Sequence, residues 1–137
     1  MRTILLATAV TICESAAQAG DYILTLHETG QREYYCTMRV TLENQSDAPL
    51  TEISGFFYSY IDGEQVGRSK GTWFMNVPAG ETAEAVFETP NSPCDQATRH
   101  DFVVGACRIT GPGFDDTSVC ANRLEGTGTI AIPAQGS

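Results

Sequence analysis

The chain has 137 residues, 42% of them hydrophobic, and carries 17 acidic against 8 basic side chains for a net charge of -9. That length holds one ordinary domain, and the acidic excess repels phosphate backbones and anionic bilayers, which excludes nucleic acid and membrane surfaces as natural partners. No G-x-x-x-x-G-K, G-x-G-x-x-G, G-x-S-x-G or H-E-x-x-H spacing occurs, so the common nucleotide-binding, serine-hydrolase and zinc-protease readings fall away.

Residues 1–19 read as an export leader. Arg2 is the positive n-region, Thr3 to Ile12 an apolar core of signal-peptide length, and Ala17-Gln18-Ala19 a small-x-small cleavage site before Gly20. The apolar run is far short of the roughly 20 residues that cross a bilayer, and no second run follows, so no membrane span is expected. Cys13 would carry the lipid in a lipoprotein, but Ile12 stands where that motif requires a small residue. The expected mature protein is residues 20–137, a single domain, periplasmic or secreted. Its charge is still -9 because Arg2 and Glu14 leave together. Cys36, Cys94, Cys107 and Cys120 remain, an even set in an oxidising compartment, which reads as two disulfides. A four-cysteine zinc site competes with that reading but lacks any C-x-x-C pair.

Along the mature chain the apolar residues recur with a period of two. Strands are predicted at Tyr22 to His27, Tyr34 to Glu43, Ile53 to Ile61, Gln65 to Arg68, Trp73 to Val77, Thr82 to Glu88, Phe102 to Thr110, Ser118 to Leu124 and Thr129 to Ile132. In the clearest of these, Tyr34, Cys36, Met38, Val40 and Leu42 share the core face. Asp62-Gly63 between Ile61 and Glu64 predicts a type I′ hairpin, since both central residues need positive φ. The one helical signal is a single turn crossing between sheets, with Ser92 as N-cap and Pro93 at the first helical position. The fold class is therefore all-β, an antiparallel sandwich with Greek-key connections.

Three stretches carry a resemblance: Leu42-Glu43-Asn44-Gln45-Ser46-Asp47, then Phe57-Tyr58 through Ile61-Asp62-Gly63-Glu64, then Val77-Pro78-Ala79-Gly80-Glu81-Thr82. Together they resemble the Ig-like FxLYD type of bacterial secreted domain over about half of the mature chain. The resemblance implies an Ig-like sandwich and a binding or accessory role in the export compartment, with no catalytic residues to carry over. The four cysteines and the long segment after Thr110 depart from it.

Pairing Thr110 with Thr117 across the loop Gly111 to Asp116 sets Cys107 opposite Cys120, within disulfide range, and leaves Cys36 to Cys94. The rival is an inter-sheet bridge from Cys36 to Cys107, spaced like the immunoglobulin core disulfide. Four bridged cysteines leave no thiolate for His100 to activate at Cys94, and His27, near Asp21, reads as an ordinary strand-end histidine. Asp115-Asp116-Thr117 lacks the ligand density of a calcium loop, and Met38, Met75 and the histidines are too dispersed for a copper site. No cofactor or metal is expected.

The candidate binding surface is aromatic. Phe56, Tyr58 and Tyr60 fall on one side of their strand and Ile53, Phe57 and Ile61 on the other; a strand apolar on both faces is usually internal, with both faces packed or shielded by loops, and the competing reading leaves the aromatic face exposed for binding. On that reading Tyr58 and Tyr60, with Trp73 or Phe74 nearby, make a binding face for a protein or glycan partner, and Phe114 at the tip of the Gly111 to Asp116 loop offers a second surface. The function expected is an exported, non-enzymatic binding or accessory domain whose partner is another exported protein. The alternatives are an acidic inhibitor of a cationic exported enzyme such as a lysozyme or protease, and a hydrolase with an unrecognised site.

Overall fold

A computed structural model describes residues 20–109 and 121–134, which form two sheets packed face to face. The first sheet contains β1 (Tyr22–Arg32), β2 (Tyr35–Asn44), β6 (Thr82–Pro90) and β8 (Leu124–Gly126), ordered β6-β2-β1-β8. The second contains β3 (Leu50–Ile61), β4 (Glu64–Arg68), β5 (Thr72–Val77), β7 (Arg99–Ile109) and β9 (Ile130–Ala131), ordered β4-β3-β7-β9 with β5 also beside β3. This is the all-β sandwich that the two-residue period predicts.

The alternation explains which face each strand buries. Cys36, Met38, Val40 and Leu42 of β2 are fully buried, while Thr37, Arg39 and Thr41 between them are half-buried on the outer face. Tyr34, expected on the core face of this strand, lies instead in the β1–β2 turn and is 74% exposed. Glu33 adopts a left-handed φ of 56°, so the chain reverses at Glu33-Tyr34 and the strand begins one residue later. Between the sheets the rings of Phe57, Phe74, Phe87 and Phe102 interlock, with Phe57 4.8 Å from Phe87 and 5.0 Å from Phe102. Each buried ring contributes roughly 1.5–3 kcal/mol of transfer free energy.

Three of the connections that cross from one sheet to the other are clamped. Asn44, fully buried at the end of β2, donates from Nδ2 to the carbonyls of Ala48 (2.9 Å) and Val77 (3.0 Å). Its Oδ1 accepts from the Ser46 amide (2.9 Å) and hydroxyl (2.7 Å). Its backbone N–H donates to Glu81 and its carbonyl accepts from Gly80. The β2–β3 and β5–β6 crossings thus meet on one amide. The third crossing, β6 to β7, is held by the Cys36–Cys94 disulfide, with Cα atoms 5.8 Å apart. That bond excludes the Cys36–Cys107 core bridge. Cys107 is itself disulfide-bonded, and Cys120, the partner predicted for it, lies outside the described residues.

Two expectations need correction. The short helical turn is a 3-10 turn at Cys94–Gln96 whose cap is Pro93, and Ser92 makes no cap hydrogen bond, because its hydroxyl is buried toward Gly67. The strand expected at Ser118 to Leu124 fails over its described end. Ala121 and Asn122 are helical, and Leu124–Gly126 pairs in parallel with Tyr22–Leu24 of β1 rather than continuing a hairpin with β7. Leu124 is needed to cover the core beside Tyr22, and Asp21 grips Arg123 (2.6 Å), which draws this segment to the first sheet.

Two outcomes follow. Asn44→Ala strips partners from buried donors and acceptors at both crossings and should cost about 2–4 kcal/mol, read by denaturant unfolding. His100 is 2% exposed and shares a 2.8 Å hydrogen bond with the buried Ser59 hydroxyl. Burial pushes its pKa below the ordinary histidine value, with the nearby Asp101 carboxylate opposing. Below about pH 6.5 the unfolded chain therefore takes up a proton that the folded one resists. Stability should fall as pH drops through that value, and His100→Gln should flatten the dependence.

Candidate binding face

The outer surface of the second sheet is built by the alternation in β3. Ile53 and Phe57 point inward and are fully buried, which sends Ser54, Phe56, Tyr58 and Tyr60 outward, each half-buried. Register does the rest. Val103 lies opposite Phe56, Asp101 opposite Tyr58 and Arg99 opposite Tyr60 on β7, while Trp73 lies opposite Ser54 and Met75 opposite Glu52 on β5. Trp73 is 59% exposed and Met75 46%. Three of the four residues proposed for binding, Tyr58, Tyr60 and Trp73, therefore share one face. Phe114 lies outside the described residues, as do Asp115, Asp116 and Thr117.

The face has an electrostatic signature of its own. The Arg99 guanidinium sits over the Tyr60 ring at 4.2 Å and bonds the Asp101 carboxylate at 2.8 Å. Arg108 approaches Glu52 at 3.9 Å. Arg68 lies over the Phe56 ring at 5.2 Å and has no carboxylate partner among the described residues. Phe56 and Tyr58 meet edge to face at 5.3 Å. Three arginines thus converge on one face of a strongly acidic chain. On the outer side of the first sheet Arg39 pairs with Glu28 and Glu84 beside the exposed Val86, and Lys70 lies over the Tyr35 ring at 4.7 Å and pairs with Glu88.

Arg68 and Arg99 were not anticipated as part of the face. The Asp62-Gly63 turn has the expected positive φ values of 48° and 87°, and a regular ladder from it would set Arg68 opposite the inward-facing Phe57. A β-bulge at Val66 shifts the register between Ser59 and Tyr60, so Arg68 stands opposite Tyr58 and emerges beside the aromatic residues. A bulge leaves no period in the sequence. Arg99 was missed because β7 begins three residues before its apolar run.

The other candidate residues stay apart. His27 bonds Thr41 Oγ1 at 2.7 Å on the outer side of the first sheet. His100 faces Ser59, not Cys94. The Ser59–His100 pair has the spacing of a nucleophile and base, yet both side chains are buried, so no substrate reaches the hydroxyl. Met38 packs in the core. Among the described residues no group of three or more His, Cys, Asp or Glu side chains is gathered closely enough to hold a metal ion. A cleft of about 350 Å³ lies at one end of the sandwich, lined by Gln31, Glu33, Tyr34, Asn91, Asp95 and Gln96 among others.

No family model matches the chain, and no curated protein matches it either. Trp73→Ala removes a ring that is mostly solvated and should move the melting temperature by less than about 3 °C, whereas Phe57→Ala empties the core and should cost about 3–5 kcal/mol. Thermal and denaturant unfolding separate the two.

Proposed function

We propose that this protein is an exported, non-enzymatic binding domain that docks another exported protein on the outer face of its second sheet. One observation carries the reading: Trp73, Tyr58 and Tyr60 share that face with Arg68 and Arg99, the residue types that dominate binding hot spots, beside Phe56 and Met75, types enriched at interfaces. A glycan platform fits less well, because sugars stack on open ring faces and the faces of Phe56 and Tyr60 are covered by guanidinium groups. The bridged Cys36 and Cys94 support an oxidising compartment, and the leader at residues 1–19 supports delivery to the periplasm or outside.

The Ig-like reading belongs to the same proposal. The division into β6-β2-β1 against β3-β7-β9 matches the immunoglobulin partition of strands A, B and E against C, F and G. The parallel pairing of β9 with β7 departs from it.

The second reading, an acidic inhibitor of a cationic exported enzyme, is supported by the charge of -9 and by Glu33 and Asp95 lining the end cleft. The two are separated by capture from envelope extract with photo-crosslinking. A partner held by the native protein should be lost about fivefold or more with Trp73→Ala or with the Tyr58→Ala/Tyr60→Ala pair, about 1 kcal/mol or more of binding. It should persist with Glu33→Gln/Asp95→Asn. Loss in the second variant with retention in the first two establishes the inhibitor reading instead.

A further inference from the structure

The start of the expected mature chain is enclosed. Gly20 is buried, and a Cβ at this position would lie 2.7 Å from the Arg123 carbonyl oxygen and 2.9 Å from the Glu125 amide nitrogen and Cβ, so only glycine fits. A small-x-small cleavage site constrains residues before the cut, not the residue after it. The packing against β8 supplies the requirement for Gly20.

The nitrogen of Gly20 faces Glu125 Oε1 at 3.3 Å. The neighbouring charges leave that carboxylate available. Arg123 is taken by Asp21, with Nη2 at 2.6 Å and Nε at 2.7 Å from the same oxygen, and lies over the Tyr22 ring at 5.3 Å. Among the described residues no basic side chain pairs with Glu125. Tyr22 then donates its N–H to the Arg123 carbonyl and opens the parallel ladder with β8. The first three residues are therefore zipped to Arg123–Glu125, with one anion facing a nitrogen that carries no charge while it is part of a peptide bond.

We propose that cleavage before Gly20 converts this nitrogen into a structural cation, so that the fold recognises its own processed N-terminus. Water hydrolyses the Ala19–Gly20 amide under an export peptidase, leaving the carboxylate on Ala19 and the amine on Gly20. That amine is protonated at neutral pH, since α-amino groups titrate at about 7.7–8.0. The resulting ammonium donates a charge-assisted hydrogen bond to Glu125, stronger than the amide's. Glu125 is itself exposed, so the pair weakens as salt rises. The device rests on the export reading only for where the cut falls; the clamp itself belongs to the folded chain.

The test uses oxidised, folded protein beginning at Gly20, the same protein acetylated at Gly20, and both with Glu125→Gln. The free-amine protein should melt a few degrees above the acetylated one, and Glu125→Gln should erase the difference. The Gly20 amine should also react with an acylating reagent at pH 7 several-fold more slowly in the native protein than in Glu125→Gln. Equal melting temperatures with equal reactivity overturn the clamp. Intact mass of the exported protein reports separately on the cut: a start other than Gly20 overturns the export reading at this site while leaving the melting comparison intact.

Discussion

The sandwich depends on the side chain of Asn44. A β-sandwich must carry its chain from one sheet to the other several times, and each crossing takes backbone polar groups past the edge of an apolar core, where an unpaired N–H or C=O is expensive. One amide offers two donors and an acceptor with two lone pairs, and Asn44 spends all four on the two loops that cross at its end of the molecule. An aspartate there would lose both donors and a leucine all four partners. The stretches Asn44 to Asp47 and Val77 to Thr82 are thus the two halves of one hydrogen-bonded joint, and their residue choices are structural.

With one end locked by hydrogen bonds, the crossing from β6 to β7 is locked covalently, by Cys36–Cys94. The bond closes a loop of 58 residues in sequence separation, a constraint worth about 4 kcal/mol in the chain-entropy account. It fixes where β7 starts and so where Arg99, Asp101 and Val103 stand beside β3. The geometry of the aromatic face follows from clamps that lie outside it.

The period of two was legible wherever a strand has one dry side: Cys36 to Leu42 of β2 could be assigned to the core residue by residue, whereas β3, apolar on both sides, showed its two faces but not which of them the core takes. Local reversals with a steric signature were legible too, as at Asp62-Gly63. What escaped was set by tertiary context. Glu33 enters the left-handed region with no glycine to announce it, so Tyr34 was placed on a strand. The bulge at Val66 moves Arg68 from one face to the other without altering composition. Leu124 was assigned to a hairpin because its neighbours alternate, but the packing of Tyr22 and the pull of Asp21 on Arg123 bring it to the opposite sheet.

An outer sheet face that carries exposed Trp73 and Met75 beside half-buried Phe56, Tyr58 and Tyr60 invites face-to-face association. The chain counters it in two ways: the acidic charge of -9 makes copies repel one another, and the guanidinium groups over Phe56 and Tyr60 cap apolar rings with polar ones. Such capping preserves a hot-spot composition while lowering its stickiness in the free state. A stacked guanidinium also loses little further rotamer freedom when it meets a carboxylate, so ordering costs fall at the moment of docking. Arg99 already holds Asp101, whereas Arg68 has no acidic partner among the described residues. The fold thus leaves Arg68, among the described residues, as the uncompensated cation of this face.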